Sequence, residues 1–219
     1  MNAIATSVLV RKAPAAKASV GGGDAVAARW TSELNWQGLG RLLIRPLTPD
    51  DLELERRFVG SLSDETLLRR ARGAQASGDE VLNRLIRFDR SCELALAAIR
   101  RDDEGDELIA VARFSRARHP GDARFAIVVA DRYQRHCLGT ELMCRLLDAA
   151  ATMGYRRLVG YTLTPNAPML CLARRMGCRV MADPQDSHRQ RLSVPVRASP
   201  VLAQRAVSRR PPRTAGATG

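Results

Sequence analysis

Residues 125–140, with the sequence FAIVVADRYQRHCLGT, constrain the fold more than any other part of the chain. They begin with a short apolar run, Phe125 to Val129, which is rich in β-branched residues and typical of a buried strand. A polar segment follows. From Leu138 onward, apolar residues recur at the spacing of a helix that packs one face on a core. A strand, a loop and a helix in this order leave the first amides of the helix and its positive dipole end facing solvent. The segment therefore predicts an anion site that suits a pyrophosphate.

The other patterns along the chain alternate between strand and helix. Residues 42–44 read as a strand, and residues 92–114 read as a β-hairpin with a charged turn. Helix starts are predicted at Thr48, Ser63 and Asp79, with a loop over residues 72–78. Further along, the patterns predict a strand at 157–162, a helix after Asn166 that ends at Gly177, and strands at 179–181 and 189–194. This mixture predicts an α/β protein.

The 219 residues suffice for one ordinary domain with tails, and 45% of them are hydrophobic. We expect residues 1–40 to form a disordered or loosely ordered extension, with three glycines at 21–23 as a flexible joint. The first 23 residues lack acids and also resemble an organellar presequence, so both interpretations stay open. Residues 197–219 contain five arginines and no acid, and we expect a disordered basic tail.

Composition narrows the class of protein further. The net charge is +12, but the basic tail has no aromatic residues, so the sequence does not favour nucleic-acid binding. No apolar run is long enough to cross a membrane. The five cysteines form no C-x-x-C pair, and the three histidines show no ligand spacing, which predicts neither a metal site nor a disulfide framework. A reducing cytoplasmic location is the expectation.

Two motifs resemble the GNAT superfamily of N-acetyltransferases. Gln134-x-x-Cys137-x-Gly139 is similar to the Q/R-x-x-G-x-G/A loop of that family, and the run from Asn166 to Val180 is similar to its asparagine-led fourth helix and the following strand. The resemblance covers residues 41–196. It implies a GNAT domain with a mixed, splayed β-sheet of about six to seven strands flanked by helices.

The resemblance also implies a cosubstrate, acetyl-CoA, and the residues that bind it. The backbone of Val129 would meet the pantetheine arm, and the amides from Arg135 to Thr140 would hold the pyrophosphate. Asn166 would bond the pantetheine arm, although its position after Pro165 equally predicts a helix N-cap, and both roles are compatible. The full predicted cofactor set is Val129, Gln134, Arg135, His136, Cys137, Leu138, Gly139, Thr140 and Asn166.

One departure from the family pattern concerns the loop. Cys137 stands where the family usually has glycine, which lets the backbone approach phosphate and tolerates unusual dihedral angles. If the position requires a positive φ, the strain is about 1–2 kcal/mol. We therefore expect weakened cofactor binding and no nucleophilic role for this cysteine, because direct acyl transfer needs no acyl-enzyme.

A second departure concerns proton transfer. The sequence around Phe125, together with residues 43–47 and 172–177, resembles the protein lysine acetyltransferases whose domain is also found fused to acyl-CoA synthetase-like regions. That branch has a glutamate general base just before the phenylalanine, where this chain has Arg124. The tyrosine that many family members use as general acid falls at Ala173. Three replacements are considered for these proton handlers, namely Asp122, Tyr161 and Glu93.

The sequence thus predicts an N-acetyltransferase that acts on an amine, with a protein lysine as one candidate acceptor. The alternative is a catalytically degenerate GNAT module that binds acyl-CoA as a sensor or regulatory partner. A third hypothesis places the function in the arginine-rich tail, as a basic binding protein. The sequence assigns neither a catalytic base nor an acceptor.

Overall fold

The computed structural model describes residues 28–74 and 93–196, with the backbone alone for residues 70–74. Its centre is one eight-stranded sheet with the order β1-β2-β3-β4-β5-β6-β8-β7. All neighbouring strands are antiparallel except β5 and β6, which are parallel. The strands are β1 (Ser32–Trp36), β2 (Gly40–Pro46), β3 (Leu94–Asp102), β4 (Gly105–Arg116), β5 (Asp122–Val129), β6 (Arg157–Leu163), β7 (Arg179–Asp183) and β8 (Asp186–Pro195).

Helices pack on the central strands of this sheet. Those longer than one turn are α1 (Leu52–Gly60), α2 (Asp64–Ala74), α3 (Leu138–Thr152) and α4 (Ala167–Arg175), and 3-10 turns lie at Pro49–Asp51 and Asp131–Tyr133. Helix α1 contacts β4, α2 contacts β6, and α3 contacts β4 and β5. Helix α3 buries Leu138, Leu142 and Leu146, which follow the four-residue spacing that predicted it. The α/β class and the splayed mixed sheet are confirmed.

The structure corrects two sequence predictions. The sheet has eight strands, more than the predicted six to seven, because β1 lies inside the range 1–40 that was expected to be an extension. Helix α2 continues to Ala74, although residues 72–78 were predicted to be a loop. The helix predicted from Asp79 and the predicted basic tail at 197–219 lie outside the described residues.

Strand β1 was missed because its residues do not alternate cleanly between apolar and polar. Leu34 is its one buried side chain, paired with Leu42 of β2. The strand is stabilised by partners that are distant in sequence. The indole nitrogen of Trp36 donates a hydrogen bond to the backbone carbonyl of His136 over 2.9 Å. Through this bond β1 supports the loop before α3, one hundred residues further along the chain.

Strands β5 and β6 pair over three residues only and then diverge. The last pair in register is Arg124 with Val159. The Phe125 ring lies over the backbone of Gly160 at this point, so closely that a Cβ on Gly160 would come within 2.6 Å of the ring. Only glycine fits there. The gap beyond the last pair opens toward the first turn of α3.

Candidate functional site

A cavity of about 710 Å³ occupies the gap between the diverging strands. Residues of β4, β5, β6, α2, α4 and the loop before α3 line it. We call residues 134–140 its loop end, and Arg113, Arg124 and Tyr161 its strand end. The cavity brings together all the predicted cofactor residues except His136.

The backbone of β5 presents its polar groups to this gap. The amide of Ala130 donates to Ile109 on β4 over 2.9 Å, and the next pair along the two strands is Val129 with Ala110. Antiparallel hydrogen bonding alternates along a strand, so the amides and carbonyls of Val129 and Ile127 point away from β4, toward β6. Because β6 has already diverged there, these groups face the cavity. This geometry suits an extended ligand that bonds to the strand edge.

The loop end has an unusual backbone. Arg135 and Cys137 have φ values of 65° and 59°, the left-handed region that side chains with a Cβ rarely adopt. Alternation of such residues with right-handed ones turns successive N–H groups toward a common point and forms an anion-binding concavity. Cys137 therefore has the positive φ on which the expected strain depended, and its backbone is strained. Its thiol points toward α4, where Arg175 Nη1 donates to Sγ over 3.6 Å.

The first turn of α3 begins directly behind Cys137. In the part of the chain that the structure describes, no backbone carbonyl accepts a bond from the amides of Leu138 or Gly139. The amide of Thr140 bonds back to Cys137 over 3.1 Å. The two open amides and the dipole of a fifteen-residue helix make an anion site. A Cβ on Gly139 would lie 3.4 Å from Leu172, an ordinary contact.

The side chain of His136 does not reach the cavity. Its ring lies against Gly38 in the β1–β2 turn, and its Nδ1 lies 2.8 Å from the Gln134 carbonyl, which makes Nδ1 the protonated nitrogen. The prediction grouped His136 with the cofactor residues because of its position in the loop. Its side chain instead packs the loop onto the β1–β2 turn.

Asn166 has the predicted capping role at the start of α4. Its Oδ1 accepts from the Met169 amide over 3.2 Å, and the residue also lines the cavity. The cap uses only the side-chain oxygen of Asn166, and the side-chain nitrogen can donate to another acceptor. The two interpretations of Asn166 therefore remain compatible.

The 3-10 turn that leads into the loop is anchored by Asp131. Its carboxylate accepts from the Ser63 amide over 3.1 Å and from the Thr66 hydroxyl over 2.8 Å, which ties the turn to α2. Burial raises the pKa of Asp131, but the hydrogen bonds from Ser63 and Thr66 outweigh it and hold the pKa below its usual range. Gln134 Nε2 donates to the Val129 carbonyl over 3.2 Å, so this side chain braces the loop against β5.

Tyr133 is the last residue of the same turn. Its hydroxyl donates to Glu107 over 2.6 Å, and Arg132 pairs with the same carboxylate. Burial raises the pKa of Tyr133, and the bond to Glu107 raises it further. The phenol is therefore held protonated and engaged in a structural bond.

Comparison with known proteins identifies the family. The sequence model of the family described as acetyltransferase (GNAT) domain matches residues 41–179, which is more than half of the chain. The chain belongs to the GNAT acetyltransferases. Acetyltransferase PA5475 of Pseudomonas aeruginosa is 30% identical over 147 residues, which cover 67% of this chain and 79% of that protein. Acetyltransferase Pat of Mycolicibacterium smegmatis is 30% identical over 135 residues, 61% of this chain and 40% of Pat.

Solved structures show the same GNAT fold. The GNAT domain of S. lividans PAT has a TM-score of 0.65 at 24% identity, and the match covers 77% of this chain and 98% of that domain. The paiA N-acetyltransferase of Thermoplasma acidophilum, solved in complex with coenzyme A, has a TM-score of 0.54 at 18% identity and covers 70% of this chain and 98% of its own. GNAT domains use acyl-CoA as cosubstrate. Within the described residues, no helix is long and apolar enough to cross a membrane, and no group of three potential metal ligands occurs.

Two of the proton handlers considered for this GNAT domain are held in ion pairs. The Asp122 carboxylate forms a two-pronged pair with Arg157, at 2.7 and 3.0 Å, and does not line the cavity. Glu93 lies 3.8 Å from Arg113 and also lies outside the lining. Ala173, where other family members have tyrosine, is buried on α4.

Tyr161 is the remaining candidate, and it faces the cavity at the strand end. Its ring lies between two guanidinium groups, Arg124 at 5.2 Å and Arg189 at 4.7 Å from the ring centre. Arg189 is buried and pairs with Asp183 over 2.6 Å, so the guanidinium group that contacts the Tyr161 ring is held in place. Among the described residues, nothing hydrogen-bonds to the Tyr161 hydroxyl.

Several lining residues were not predicted from the sequence. Arg113 comes from β4, Thr66 from α2, and Arg175 from α4. Arg175 was within a quoted motif, but its contact with the loop depends on how α4 packs beside α3. Arg113 and Thr66 lie in ordinary strand and helix patterns, and no local signal marks them as site residues. They reach the cavity only because β4 and α2 neighbour β5 and β6 in space.

Proposed function

We propose that the chain transfers an acetyl group from acetyl-CoA to an amine. The observation that carries this proposal is the gap between β5 and β6, which leads from exposed strand amides to the open first turn of α3. The pyrophosphate would bind at the loop end, and the pantetheine arm would run along β5 toward the strand end. A thioester held in this way would face the cavity that the acceptor amine would enter, which is the arrangement that acyl transfer needs.

The chemistry needs a neutral amine. Its nitrogen attacks the thioester carbonyl carbon, the carbon–sulfur bond breaks, and sulfur leaves with the bonding electrons. The two protons lost from the ammonium pass to solvent and to the departing thiolate. We assign the transfer of a proton to the departing thiolate to Tyr161, because its hydroxyl faces the cavity without another partner among the described residues. A backbone amide of β5 would stabilise the oxyanion.

The acceptor and the location belong to the same proposal. The resemblance to the protein lysine acetyltransferases makes a protein lysine one acceptor to test. The four cysteines of the described residues form no disulfide with one another, which suits a reducing cytoplasm.

The second candidate is a GNAT module that binds acyl-CoA without turnover, as a sensor or regulatory partner. The observation that favours it is the lining of the described cavity, which contains no Asp, Glu or His. This module would share the loop end and its affinity for CoA. The two candidates differ only in whether bound acetyl-CoA is consumed.

The test is calorimetric titration with acetyl-CoA and with CoA, on the unchanged chain and on Gly139→Glu. Since Gly139 has ordinary space for a side chain, the substitution adds a negative charge at the anion site without a forced clash. We expect affinity to fall by about 100-fold or more, since a carboxylate replaces the attraction of the helix terminus with repulsion. Gly60→Glu is the matched control, because a Cβ there meets nothing within 4 Å.

Release of free thiol with an acceptor panel then separates the two candidates. Turnover with any amine supports the transferase. Tight binding that Gly139→Glu abolishes, without turnover on any acceptor, supports the binding module. Equal affinities in Gly139→Glu and Gly60→Glu contradict the assignment of the loop end.

A further inference from the structure

The turn between β1 and β2, residues 37–39, lies against the loop end of the cavity. The turn is closed by the Leu39 amide, which donates to the Trp36 carbonyl over 3.0 Å. Gly38 has a φ of 81°, the value that the third residue of a type II turn requires. The buried Leu39 side chain holds the turn on the core. Strand β1 and this turn precede residues 41–179, so they lie outside the part of the chain that the family model matches.

Two contacts join this hairpin to His136, one through the backbone and one through the ring. The Trp36 indole donates to the His136 carbonyl over 2.9 Å. The His136 ring lies so close to Gly38 that a Cβ on Gly38 would come within 3.2 Å of its Cδ2. The opposite edge of the ring, at Nδ1, donates to the Gln134 carbonyl over 2.8 Å. His136 is therefore held both by a distant hairpin and by its own loop.

His136 stands between the two residues with left-handed backbone conformations, Arg135 and Cys137. Its carbonyl belongs to the peptide group whose orientation the φ of Cys137 describes. A flip of this peptide group would take Cys137 out of the left-handed region, and it would also turn the carbonyl away from Trp36. In a trans peptide the N–H points opposite to the carbonyl, so the bond from Trp36 directs the Cys137 amide away from β1. The contact with β1 therefore opposes the motion that the strained backbone favours.

We propose that Trp36 and His136 are positioning residues for the loop end. By fixing the His136 carbonyl and ring on the β1–β2 hairpin, they keep Arg135 and Cys137 in the conformation that points the loop amides at one anion. This inference rests on the proposed function, because the anion is the pyrophosphate of acetyl-CoA. A loop that is arranged before the ligand arrives avoids the cost of ordering at binding, so these contacts raise the affinity. They also explain how a cysteine occupies a position where glycine would be unstrained.

The first test removes the donor or the ring. Trp36→Phe keeps an aromatic ring without the indole N–H, and we expect the Kd for acetyl-CoA to rise about 5-fold in calorimetry, the effect of one hydrogen bond that favours the arranged loop. The KM for acetyl-CoA should rise by a similar factor, with kcat at saturation within about 2-fold. His136→Leu should weaken binding comparably. His136→Asn, which can keep a donor near the Nδ1 position, should retain more of the affinity.

Trp30→Phe is the matched control. Trp30 is buried in the core and does not line the cavity. Its substitution should lower the free energy of unfolding and leave the affinity for acetyl-CoA unchanged. Hydrogen exchange of the ligand-free protein gives a second readout, in which the amides of residues 135–138 exchange faster in Trp36→Phe and at the wild-type rate in Trp30→Phe.

The decisive measurement repeats Trp36→Phe together with Cys137→Gly. Glycine adopts a positive φ without strain, so the loop then needs no support from β1. The loss of affinity that Trp36→Phe causes should shrink from about 5-fold to less than about 2-fold. A role in packing alone would move the free energy of unfolding equally in both backgrounds and would leave this difference in affinity at zero.

Two results would overturn the inference and leave the proposed function standing. The first is equal affinity for acetyl-CoA in Trp36→Phe and in the unchanged chain. The second is an equal loss of affinity with and without Cys137→Gly. Should Trp36→Phe fail to fold, the same comparison with His136→Leu decides. If the unchanged chain does not bind acetyl-CoA, the proposed function fails, and this inference fails with it.

Discussion

The two ends of the cavity are built in different ways. At the loop end, the chemistry comes from the backbone: two open amides of α3, the helix dipole, and two residues with positive φ. At the strand end, the cavity is lined by the side chains of Arg113, Arg124 and Tyr161. A backbone site tolerates a changed side chain, and here the loop forms although Cys137 replaces the usual glycine. A side-chain site changes its chemistry with each substitution. We therefore expect the cosubstrate to be shared with the family and the acceptor to depend on the side chains of this chain.

The largest expected effect comes from removing the hydroxyl group of Tyr161 at the strand end. Tyr161→Phe keeps the ring between the two guanidinium groups and removes only the hydroxyl. We expect kcat to fall about 100-fold, the lower range for the loss of a proton-transfer group, with the KM for acetyl-CoA unchanged. Tyr133→Phe is the control, because that hydroxyl already donates to Glu107. An unchanged kcat in Tyr161→Phe removes this residue from the mechanism.

The point where the two ends join is tested by Gly160→Ala. The new methyl would lie 2.6 Å from the Phe125 ring, which is itself buried. We expect a loss of about 1–3 kcal/mol in the free energy of unfolding, as for other overpacked sites, together with weaker acetyl-CoA binding. Urea denaturation and calorimetry measure the two effects. Gly60→Ala should cost neither, since a Cβ at Gly60 meets nothing. If Gly160→Ala is as stable as the wild type, the close contact between the Phe125 ring and the Gly160 backbone is contradicted.

The strain at the loop end gives a smaller effect of opposite sign. Cys137→Gly removes a Cβ from a residue with a φ of 59° and should stabilise the fold by about 1 kcal/mol. It should also tighten acetyl-CoA binding, because the loop then adopts its shape without strain. Cys137→Ala keeps the Cβ and should stabilise much less. If glycine and alanine stabilise equally, the benefit comes from losing the thiol and its contact with Arg175.

The smallest effect concerns the anchor of the loop. The lowered pKa of Asp131 means that its ionised form is favoured in the folded state. Its contribution to stability is therefore present above the unfolded-state value of about 3.9 and is lost as the pH falls through the lower folded value. Asp131→Asn should be less stable than the wild type at neutral pH, and the difference should shrink below about pH 4. Thermal unfolding across this range measures it, with Asp103→Asn as an exposed control. A pH-independent difference contradicts the ionic anchor.

Local pattern alone determined the α/β class, the strand from Phe125, the helix from Leu138 and the capping role of Asn166. These follow from periodicity and helix-end chemistry, which act over a few residues. The two motifs also located the loop end, because an anion site at a helix start is made by contiguous residues.

Only the tertiary structure decided the rest. The positive φ of Cys137, the turn of His136 toward Gly38, and the pairing of β1 with β2 each depend on partners far away in sequence. The ion pairs that occupy Asp122 and Glu93, and the convergence of Arg113, Arg124 and Tyr161, depend on which strands are neighbours. A side chain's role is set by what lies across the sheet from it, and the strand order that decides this is not written in any local stretch of the chain.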